Sequence, residues 1–360
     1  MKKFNLFLVL VWVAQLGFAD SINSSTSLTT YYSAANNKCG NELRLALFDI
    51  IKGHTQIGYK NLGTIMQWSD TQDADGQHII DIYTNCSFTC NGAVTWISSG
   101  GVGAGLNREH TVPQSWFSKD EPMLSDAFHV YPTDTKANNN RSSYLYGEFS
   151  GAGSSSSGSK CSETGKLSTG VDNGIASYSY NNQTYAPTET WYGTVYEPDD
   201  EYKGDLARSY FYMATRYASG IGSSNCSNWS GGAFGSERNG LSAYTAELML
   251  KWHRLDPVSE KELIRNEVIY GNTTYNKSLL KQGNRNPFID FPELVEYIWG
   301  DLQTVSVTIT ALESPYANQS PTAVEDVEYR VSSNSKLLIN GSLYLQVGEQ
   351  LFNMQGQRVK

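Results

Sequence analysis

The sequence predicts an α+β fold with a central strand, loop, strand and helix, helical lobes on either side and a small β appendage at the C-terminus. Apolar residues recur at helical spacing in several long segments, which predicts the lobes. Short β-branched and aromatic runs before residue 135 predict the central strands. Alternation of apolar and polar residues after residue 303 predicts the appendage. We therefore expect one large domain over residues 20–303 and a β module over residues 304–360.

The first nineteen residues, 1–19, predict a secretory signal peptide. Lys2 and Lys3 precede an apolar run that ends on small residues near Ala19. This run is shorter than the roughly 20 apolar residues that a membrane-spanning helix needs. We expect cleavage near Ala19, a secreted or periplasmic mature chain and no membrane span.

The charge balance argues against a protein that coats nucleic acid through a basic surface. The chain has 27 lysines and arginines against 36 aspartates and glutamates, a formal net charge of −9. A local phosphate site is still compatible with this balance. We expect a narrow basic groove and moderate affinity for polyanions at physiological salt.

Five cysteines in a secreted chain predict one or two disulfides, and they are Cys39, Cys86, Cys90, Cys161 and Cys226. A zinc site made by Cys86 and Cys90 with His78 is the alternative, although its spacing is unusual and a fourth ligand is not evident.

The central strands are predicted at residues 79–83, 94–97 and 128–131. Pro132 ends the last of them, and Thr133 or Asp134 is suited to cap a helix through the sequence TKANNNR. The serine-rich sequence GAGSSSSGS that follows predicts a mobile surface loop.

Helical periodicity predicts the lobes, at residues 41–53, 205–217, 241–255 and 259–271, with a short helix between Pro292 and Gly300. Ser259 and Glu262 have the S-x-x-E spacing of a capping box, and Gly271 ends that helix. Near the C-terminus, Asn340-Gly341 between two apolar runs predicts a hairpin.

The sequence NREHTVPQSWF, residues 107–117, places Glu109 directly beside His110. Neighbours on an ordinary strand point to opposite faces, so the two can serve one reaction only where the strand ends or twists. On a helix that starts near Asp134, Asn138 and Arg141 are three positions apart and share one face.

These residue types suit phosphodiester hydrolysis assisted by a metal. The carboxylate of Glu109 and the amide oxygen of Asn138 are hard donors for Mg²⁺ or Ca²⁺. His110 can take a proton from water if its other ring nitrogen donates to an acceptor, and Arg141 can bind phosphate through its planar fork. We find no Gly-x-Ser-x-Gly or His-Glu-x-x-His motif that would favour a serine or zinc hydrolase.

Other interpretations remain open at this point. Taken singly, Glu109 is a surface charge, His110 a satisfied buried histidine, and Asn138 with Arg141 a solvated helix face. A phosphodiesterase acting on a lipid or nucleotide has the same groups, and 23 tyrosines also suit a non-catalytic surface-binding protein.

The chain resembles the secreted bacterial endonuclease I family, whose active site is a ββα-metal (His-Me finger) motif. The resemblance covers most of residues 40–300, in the ordered blocks REHTVPQSW, HVYPTDTKANNNRSSYLYGE, KGDLARSYFYMATRY, LMLKWHRLDPVSEKELIRNEVIYG and KQGNRNPFIDFPELVEYIWG. It implies a metal-dependent endonuclease that cuts DNA, and also RNA, without sequence preference through contacts to sugar and phosphate. We expect a monomer.

The resemblance also implies roles for the matching residues. His110 is the general base, Glu109 and Asn138 bind one divalent ion, Mg²⁺ with Ca²⁺ or Mn²⁺ as alternatives, and Arg141 orients phosphate or the helix. Some members carry a phosphate-stabilising arginine in a disulfide-bonded insertion between the strands. The segment FSKDEPMLSDAF has neither arginine nor cysteine, and Lys119 is left unassigned.

Three further arginines lie in matching blocks. We expect Arg108 and Arg285 to contact substrate, and Arg208 to form a buried ion pair that supports the site. The tail from Leu343 resembles C-terminal β modules that serve as export or surface-attachment signals, so an export system is an expected partner. A small hairpin packed on the catalytic domain is the alternative.

Overall fold

The structure is a computed structural model that describes residues 25–220 and 222–318, with the backbone of strands 334–339, 342–347 and 350–353. The predicted signal peptide and the Asn340-Gly341 pair lie outside the described residues. The chain divides into two compact units between Ala317 and Asn318. The fold is of the α+β class, with helices and short strands in the first unit that pair antiparallel except for the parallel pair of β5 and β11.

The helices of the first unit are α1 (Ser25–Tyr31), α2 (Gly40–Ile51), α3 (Leu62–Ser69), α4 (Thr135–Arg141), α5 (Asp200–Arg216), α6 (Ala243–Leu255), α7 (Glu260–Tyr270), α8 (Pro287–Asp290) and α9 (Leu294–Ile298). Its strands are β1 (His78–Ile79), β2 (Phe88–Thr89), β3 (Leu106–His110), β4 (Val130–Asp134), β5 (Leu145–Tyr146), β6 (Lys166–Leu167), β7 (Asp172–Gly174), β8 (Tyr178–Tyr180), β9 (Gln183–Tyr185), β10 (Thr190–Tyr192), β11 (Val195–Glu197) and β12 (Phe234–Arg238). The pairs are β1–β2, β3–β4, β7–β10 and β8–β9, and β11 lies between β5 and β6.

Helix α5 forms the centre of the first unit. Asp199 caps its first turn by accepting a hydrogen bond from the backbone of Glu201, and Arg216 in the last turn complements the helix dipole. Residues 204–215 are buried without interruption, because α2, α6 and α8 pack around it. A helix enclosed in this way is a rigid support for the strands that contact it.

Most predicted helices are confirmed with shifts of a few residues. Helix α2 matches the predicted segment 41–53, and α5 begins five residues before the predicted 205. Helix α7 has the predicted capping box of Ser259 with Glu262 and ends at Gly271 in the left-handed conformation. Helix periodicity and capping residues in the sequence therefore predict these helices to within a few residues.

Two of the three predicted strands are wrong. Residues 94–97 form no ladder because their backbone groups are used elsewhere, Val94 N–H by the carbonyl of Gly63 and Ile97 N–H by that of Leu106. Of residues 79–83 only Ile79 belongs to a strand, since the N–H of Ile80 donates to the Asp70 carbonyl.

The third predicted strand lies two residues later than expected, because β4 passes through Pro132 rather than ending before it. Proline removes a donor from a ladder, but β3 and β4 form a two-stranded sheet in which each strand is an edge. Pro132 lies opposite Arg108 in this pair.

Residues 304–316 were expected in the β appendage, and the structure packs them into the first unit instead. Val307 exchanges backbone hydrogen bonds with residues 37 and 38, and Val307 and Ile309 are fully buried. A 3₁₀ turn, Ile309–Ala311, replaces continued strand. The alternation of apolar and polar residues here therefore reflects a short segment of the large domain, in which Val307 and Ile309 face the core.

The second unit contains β13 (Asn334–Ile339), β14 (Ser342–Val347) and β15 (Gln350–Asn353), which form one antiparallel sheet. Ile339 pairs with Ser342, so only two residues connect β13 to β14. This is the hairpin that the sequence predicts.

Cys86, which precedes β2, forms a disulfide with Cys161, which follows the serine-rich loop. Cys39, Cys90 and Cys226 are free thiols. Because the sulfur of Cys86 is bonded in the disulfide, it is not a thiolate that could bind zinc together with Cys90 and His78. The alternative of a zinc site is therefore wrong. Within the described residues, no helix has the length and apolar character needed to cross a membrane.

Candidate active site

Strands β3 and β4 and helix α4 follow one another and pack together. The strands pair in register from Leu106 opposite Asp134 to His110 opposite Val130. Asp134 ends β4 and caps α4, with one carboxylate oxygen accepting from the N–H groups of Lys136 and Ala137 and the other from Gly103. The cap fixes where the helix starts, and so it fixes which helical side chains reach β3.

The alternation of β3 separates the side chains of its motif onto two faces. Arg108 and His110 contact Tyr59 on one face. Glu109 contacts Tyr83 and Arg141 on the other. Strand β3 ends at His110, so the two groups lie at the end of the strand, the position at which adjacent side chains can serve one site.

Glu109 is held by three side chains in a nearly dry environment. Its Oε1 accepts from the hydroxyl of Tyr83 at 2.8 Å and of Tyr146 at 3.4 Å, and Arg141 Nε lies 3.4 Å away. The two tyrosine hydroxyls also hydrogen-bond to each other. Within the described chain no hydrogen bond reaches Oε2.

Burial governs the electrostatics of Glu109, a residue that is 1% exposed. Burial raises its pKa to about 7, against the opposing effects of Arg141 and the two tyrosine hydroxyls. A carboxylate in this position is stabilised in its charged form by any further cation placed next to it.

His110 is fixed in one tautomer. Its Nε2 lies 3.0 Å from the carbonyl oxygen of Leu124, and because that oxygen can only accept, Nε2 carries the proton. The lone pair of the neutral ring is therefore on Nδ1. Tyr59 stacks on the ring with 6.0 Å between centroids, and His129 meets it edge-on at 5.5 Å. Burial and then the nearby His129 lower the pKa of His110 to about 3, so the imidazole is neutral at neutral pH.

Asn138 and Arg141 both face β3 from α4. Asn138 Nδ2 donates to the carbonyl of Arg108 at 3.2 Å. This bond orients the amide and leaves its oxygen, Oδ1, available for a hard cation. The contacted carbonyl belongs to the peptide group that joins Arg108 to Glu109, so the amide lies beside the backbone of the motif.

Arg141 is fully buried and uses its guanidinium within the protein. Nη2 donates to the carbonyl of Thr111 at 2.6 Å and Nη1 to that of His110 at 3.3 Å, while the ring of Tyr146 lies 4.6 Å from the guanidinium carbon. Such a group cannot reach a phosphate in this conformation. Of the two roles expected for Arg141, the geometry favours orienting the helix and Glu109 over contacting phosphate.

The donor set fits a magnesium-like cation better than zinc. The available atoms are a carboxylate oxygen of Glu109 and an amide oxygen of Asn138, both hard donors, and two protein ligands suit an ion that keeps several waters. Across the described part of the chain, no group of three or more histidine, cysteine or acidic side chains is placed to hold a metal.

Arg208 and Arg285 lie in buried ion pairs. Arg208 meets Glu262 through two hydrogen bonds, Nε to Oε1 at 2.5 Å and Nη2 to Oε2 at 2.7 Å. Arg285 was expected to contact substrate, and the structure corrects this: it is 0% exposed and bonds to Asp290 at 2.8 Å and to Glu267 at 2.6 Å. Its charge is used to neutralise two buried carboxylates.

The sequence did not identify the aromatic residues around the motif, namely Tyr59, Tyr83, Trp96 and Tyr146. Each comes from a different segment, and in a chain with 23 tyrosines none stands out. Their only sequence signal is indirect, since a buried glutamate needs hydrogen-bond donors that the motif does not supply.

A cavity of about 680 Å³ lies elsewhere in the first unit, lined by residues that include Glu148, Asp172, Lys203 and Lys251. None of its lining residues belongs to β3 or α4. The lysines there are already paired, Lys251 with Glu148 at 2.5 Å and Lys203 with Glu197 at 2.7 Å.

Comparison with known proteins gives a consistent result. The family model for endonuclease I matches residues 39–293, a range that contains β3, β4 and α4. An extracellular ribonuclease of Bacillus amyloliquefaciens is 32% identical over 283 residues, which is 77% of this chain and 81% of that protein. An extracellular ribonuclease of Bacillus subtilis (strain 168) is 31% identical over 275 residues, 75% of this chain and 78% of that protein.

Proposed function

Because this chain belongs to the endonuclease I family and is therefore a nuclease, we propose that it is a secreted, metal-dependent endonuclease that hydrolyses the phosphodiester bonds of RNA and DNA. In this proposal β3, β4 and α4 form a ββα-metal site. The observation that carries it is the tautomer of His110, which places the ring lone pair on Nδ1, one residue from a buried carboxylate whose Oε2 accepts no hydrogen bond from the described residues.

His110 is the general base. The bond from Nε2 to the carbonyl of Leu124 holds the ring in orientation and prevents the proton from residing on Nδ1. Nδ1 can then accept a proton from a water molecule directed at phosphorus. As positive charge develops on the ring, the same carbonyl stabilises the Nε2–H, in the way that a fixed acceptor supports a catalytic imidazole.

Glu109 and Asn138 would hold the divalent ion, with Mg²⁺ as the expected species and Ca²⁺ or Mn²⁺ as alternatives. When bound, such an ion supplies positive charge for the phosphate and for the departing oxygen. Tyr83, Tyr146 and Arg141 occupy Oε1 of Glu109 and so hold the carboxylate in one orientation. Arg141 is thus a positioning residue.

The relatives support RNA as a substrate, because both are named extracellular ribonucleases. The family description, endonuclease I, supports internal cleavage of nucleic acid. We include DNA because nothing in the site requires a 2′-hydroxyl: the water activated by His110 is the nucleophile. The extracellular relatives together with the predicted signal peptide support secretion.

The test is digestion of supercoiled plasmid and of a structured RNA by purified mature protein, with Mg²⁺ and with chelator. We expect cleavage of both in Mg²⁺, with linear or nicked plasmid appearing before small products, and little cleavage with chelator. Cleavage that persists in chelator would remove the metal from the proposal. Intact nucleic acid together with cleavage of a small phosphodiester would identify a different substrate class.

A further inference from the structure

Arg108 differs from the other arginines around the core. Arg141, Arg208, Arg265 and Arg285 each pair with a buried carboxylate. Arg108 has no ion pair with any described residue. Instead its guanidinium carbon lies 4.4 Å from the ring centroid of Tyr59 and 4.4 Å from that of Trp96.

The backbone segments that carry the two aromatic rings are held by hydrogen bonds. Tyr59 begins a 3₁₀ turn after Gly58, which has a φ of 77° that favours glycine, and Asn61 closes this turn by donating to the carbonyl of Ile57 at 2.8 Å. On the other side, Trp96 lies between two backbone hydrogen bonds of 2.8 Å, from Val94 to Gly63 and from Ile97 to Leu106. The backbone around each ring is therefore held in place, which supports a preformed slot for the guanidinium.

A guanidinium held between two rings has only its edge left for hydrogen bonding. In Arg108 the Nε is buried and has no hydrogen-bond partner in the described chain. Partial burial of a cation without a counter-charge costs desolvation free energy, and an anion that binds at the edge of the guanidinium offsets this loss. The planar edge of arginine matches the oxygens of a phosphate group.

The slot is next to the proposed general base. Arg108 and His110 are two positions apart on β3 and share a face, and the ring of Tyr59 contacts both. A phosphate bound at the edge of Arg108 is therefore on the same side of the strand as His110.

We propose that Tyr59 and Trp96 are positioning residues that clamp Arg108 as a phosphate-binding group for the nucleic acid strand beside the bond that is cut. The inference rests on the proposed function, since it takes the anion to be a phosphate of the substrate. Arg141 and Arg285 are fully buried and do not reach a substrate phosphate. The inference therefore assigns the phosphate contact to Arg108. The contact carries no sequence information, because it is made to the backbone.

Binding without cleavage separates this inference from the catalytic proposal. Affinity of wild-type protein for a fluorescent single-stranded RNA is measured by anisotropy in chelator over a series of salt concentrations, and a gel verifies that the RNA stays intact. In parallel, cleavage by the wild type in Mg²⁺ is recorded. Loss of wild-type cleavage would count against the proposed function, whereas the clamp is judged from the binding of the variants.

We expect Arg108→Met to weaken binding about tenfold at low salt and to reduce the slope of log affinity against log salt by roughly 0.7, the loss of one phosphate contact on a single strand. Arg108→Lys keeps most of the slope but binds more weakly than wild type, because an ammonium does not stack in the slot. The matched control is Arg238→Met, which removes the same charge from an exposed position on β12.

The aromatic residues are tested by Trp96→Leu and the conservative Trp96→Phe, with thermal unfolding measured for each. We expect Trp96→Leu to approach the affinity of Arg108→Met and Trp96→Phe to regain most of it. Unchanged salt slope in Arg108→Met overturns the phosphate contact. Full affinity in Trp96→Leu and in Tyr59→Leu overturns the clamp, since Arg108 would then bind phosphate without it.

Discussion

Glu109 and His110 are sequence neighbours with opposite surroundings, and this difference allows them to perform different tasks. Glu109 points toward donors that occupy one carboxylate oxygen, whereas His110 points toward a carbonyl that occupies one ring nitrogen. In each case the protein uses one polar atom, and the proposed function assigns the chemistry to the other. The separation of roles follows from the period of two of a β-strand.

Replacing His110 tests its role as the base. We expect His110→Ala to lower kcat by on the order of 10²-fold or more while the Mg²⁺ affinity changes little, because Glu109 and Asn138 remain. Single-turnover cleavage of RNA and calorimetric titration of Mg²⁺ measure the two quantities. Near-normal cleavage in the variant would assign the proton transfer to another group.

Asn138 offers a test of the metal site with a matched control on the same helix. Asn138→Ala should raise the Mg²⁺ concentration needed for half-maximal cleavage by about tenfold or more, because one of two protein ligands is lost. Asn140→Ala is the control, since Asn140 is two positions away and bonds to Ser156 and Glu163 rather than to β3. Equal metal dependence in the two variants would exclude Asn138 as a ligand.

At the scale of elements, the site depends on a strand that turns directly into a helix. Asp134 is the last residue of β4 and the cap of α4, and its second oxygen binds Gly103 in the loop that precedes β3. One side chain therefore joins the start of β3, the end of β4 and the start of α4.

We expect Asp134→Ala to lower the free energy of unfolding by about 1–2 kcal/mol, as for other helix caps, and to lower cleavage more than this loss explains. The control is Ser259→Ala, which removes the cap of α7 away from β3. Denaturant unfolding and kcat are measured for both. If the two variants lose stability and activity in parallel, Asp134 contributes to stability alone.

The sequence predicted the helices and the Glu109-His110 motif more accurately than it predicted the strands and the residues that contact the motif. Local signals such as the Ser259 capping box act within one segment and are readable there. Strand β4 was placed too early because Pro132 ends a strand only when the sheet continues on both sides, and that depends on the neighbouring strands. The strand predicted at residues 94–97 is wrong for a similar reason, since the backbone hydrogen bonds of Val94 and Ile97 are with distant segments.

Among candidate site residues, the sequence singled out those in a recognisable motif, namely Glu109, His110, Asn138 and Arg141, whose roles are part of the proposed function. It could not separate the arginines by burial. Arg285 and Arg108 are both arginines in matching blocks, yet one is enclosed by carboxylates and the other by aromatic rings. That difference is set by tertiary packing, which a single sequence does not reveal.

At the scale of the whole molecule, buried ion pairs connect the helices to the active-site strands. Arg265, for example, pairs with Asp70 at 2.9 Å and also donates to the carbonyl of Val130 at 2.8 Å in β4. Such pairs need both partners, because a buried charge left alone is strongly destabilising.

Arg285→Met should therefore act on stability and not on substrate binding. It leaves Asp290 and Glu267 without their cation and should cost about 3–5 kcal/mol in the free energy of unfolding. The salt slope of RNA binding should stay that of the wild type, in contrast to Arg108→Met. A reduced slope with normal stability would instead return Arg285 to the substrate interface.

Acid stability should depend on Asp126. Burial opposes its ionisation, but His54, His129, Arg216 and the N–H of Phe128 together lower its pKa below the ordinary value. A depressed folded-state pKa stabilises the protein above the unfolded value of about 3.9, and this contribution is lost as the pH falls through the folded value.

Asp126→Asn should thus lower the free energy of unfolding at pH 7 by about 1–3 kcal/mol, because charged hydrogen bonds are lost. The difference from wild type should shrink once the pH is well below 3.9, where Asp126 is itself protonated. Denaturant unfolding over a pH series measures both. A difference that stays constant through this range would show that Asp126 stabilises through packing rather than charge.

The most direct test of the central claim is the position of a divalent ion in a crystal of the protein grown with Mn²⁺ and examined by anomalous scattering. The account predicts one anomalous peak in the site, bonded to the carboxylate of Glu109 and the amide oxygen of Asn138 and on the side of the site open to Nδ1 of His110. A peak bonded to other residues, or none at Glu109 in a protein that still cleaves RNA, would contradict it.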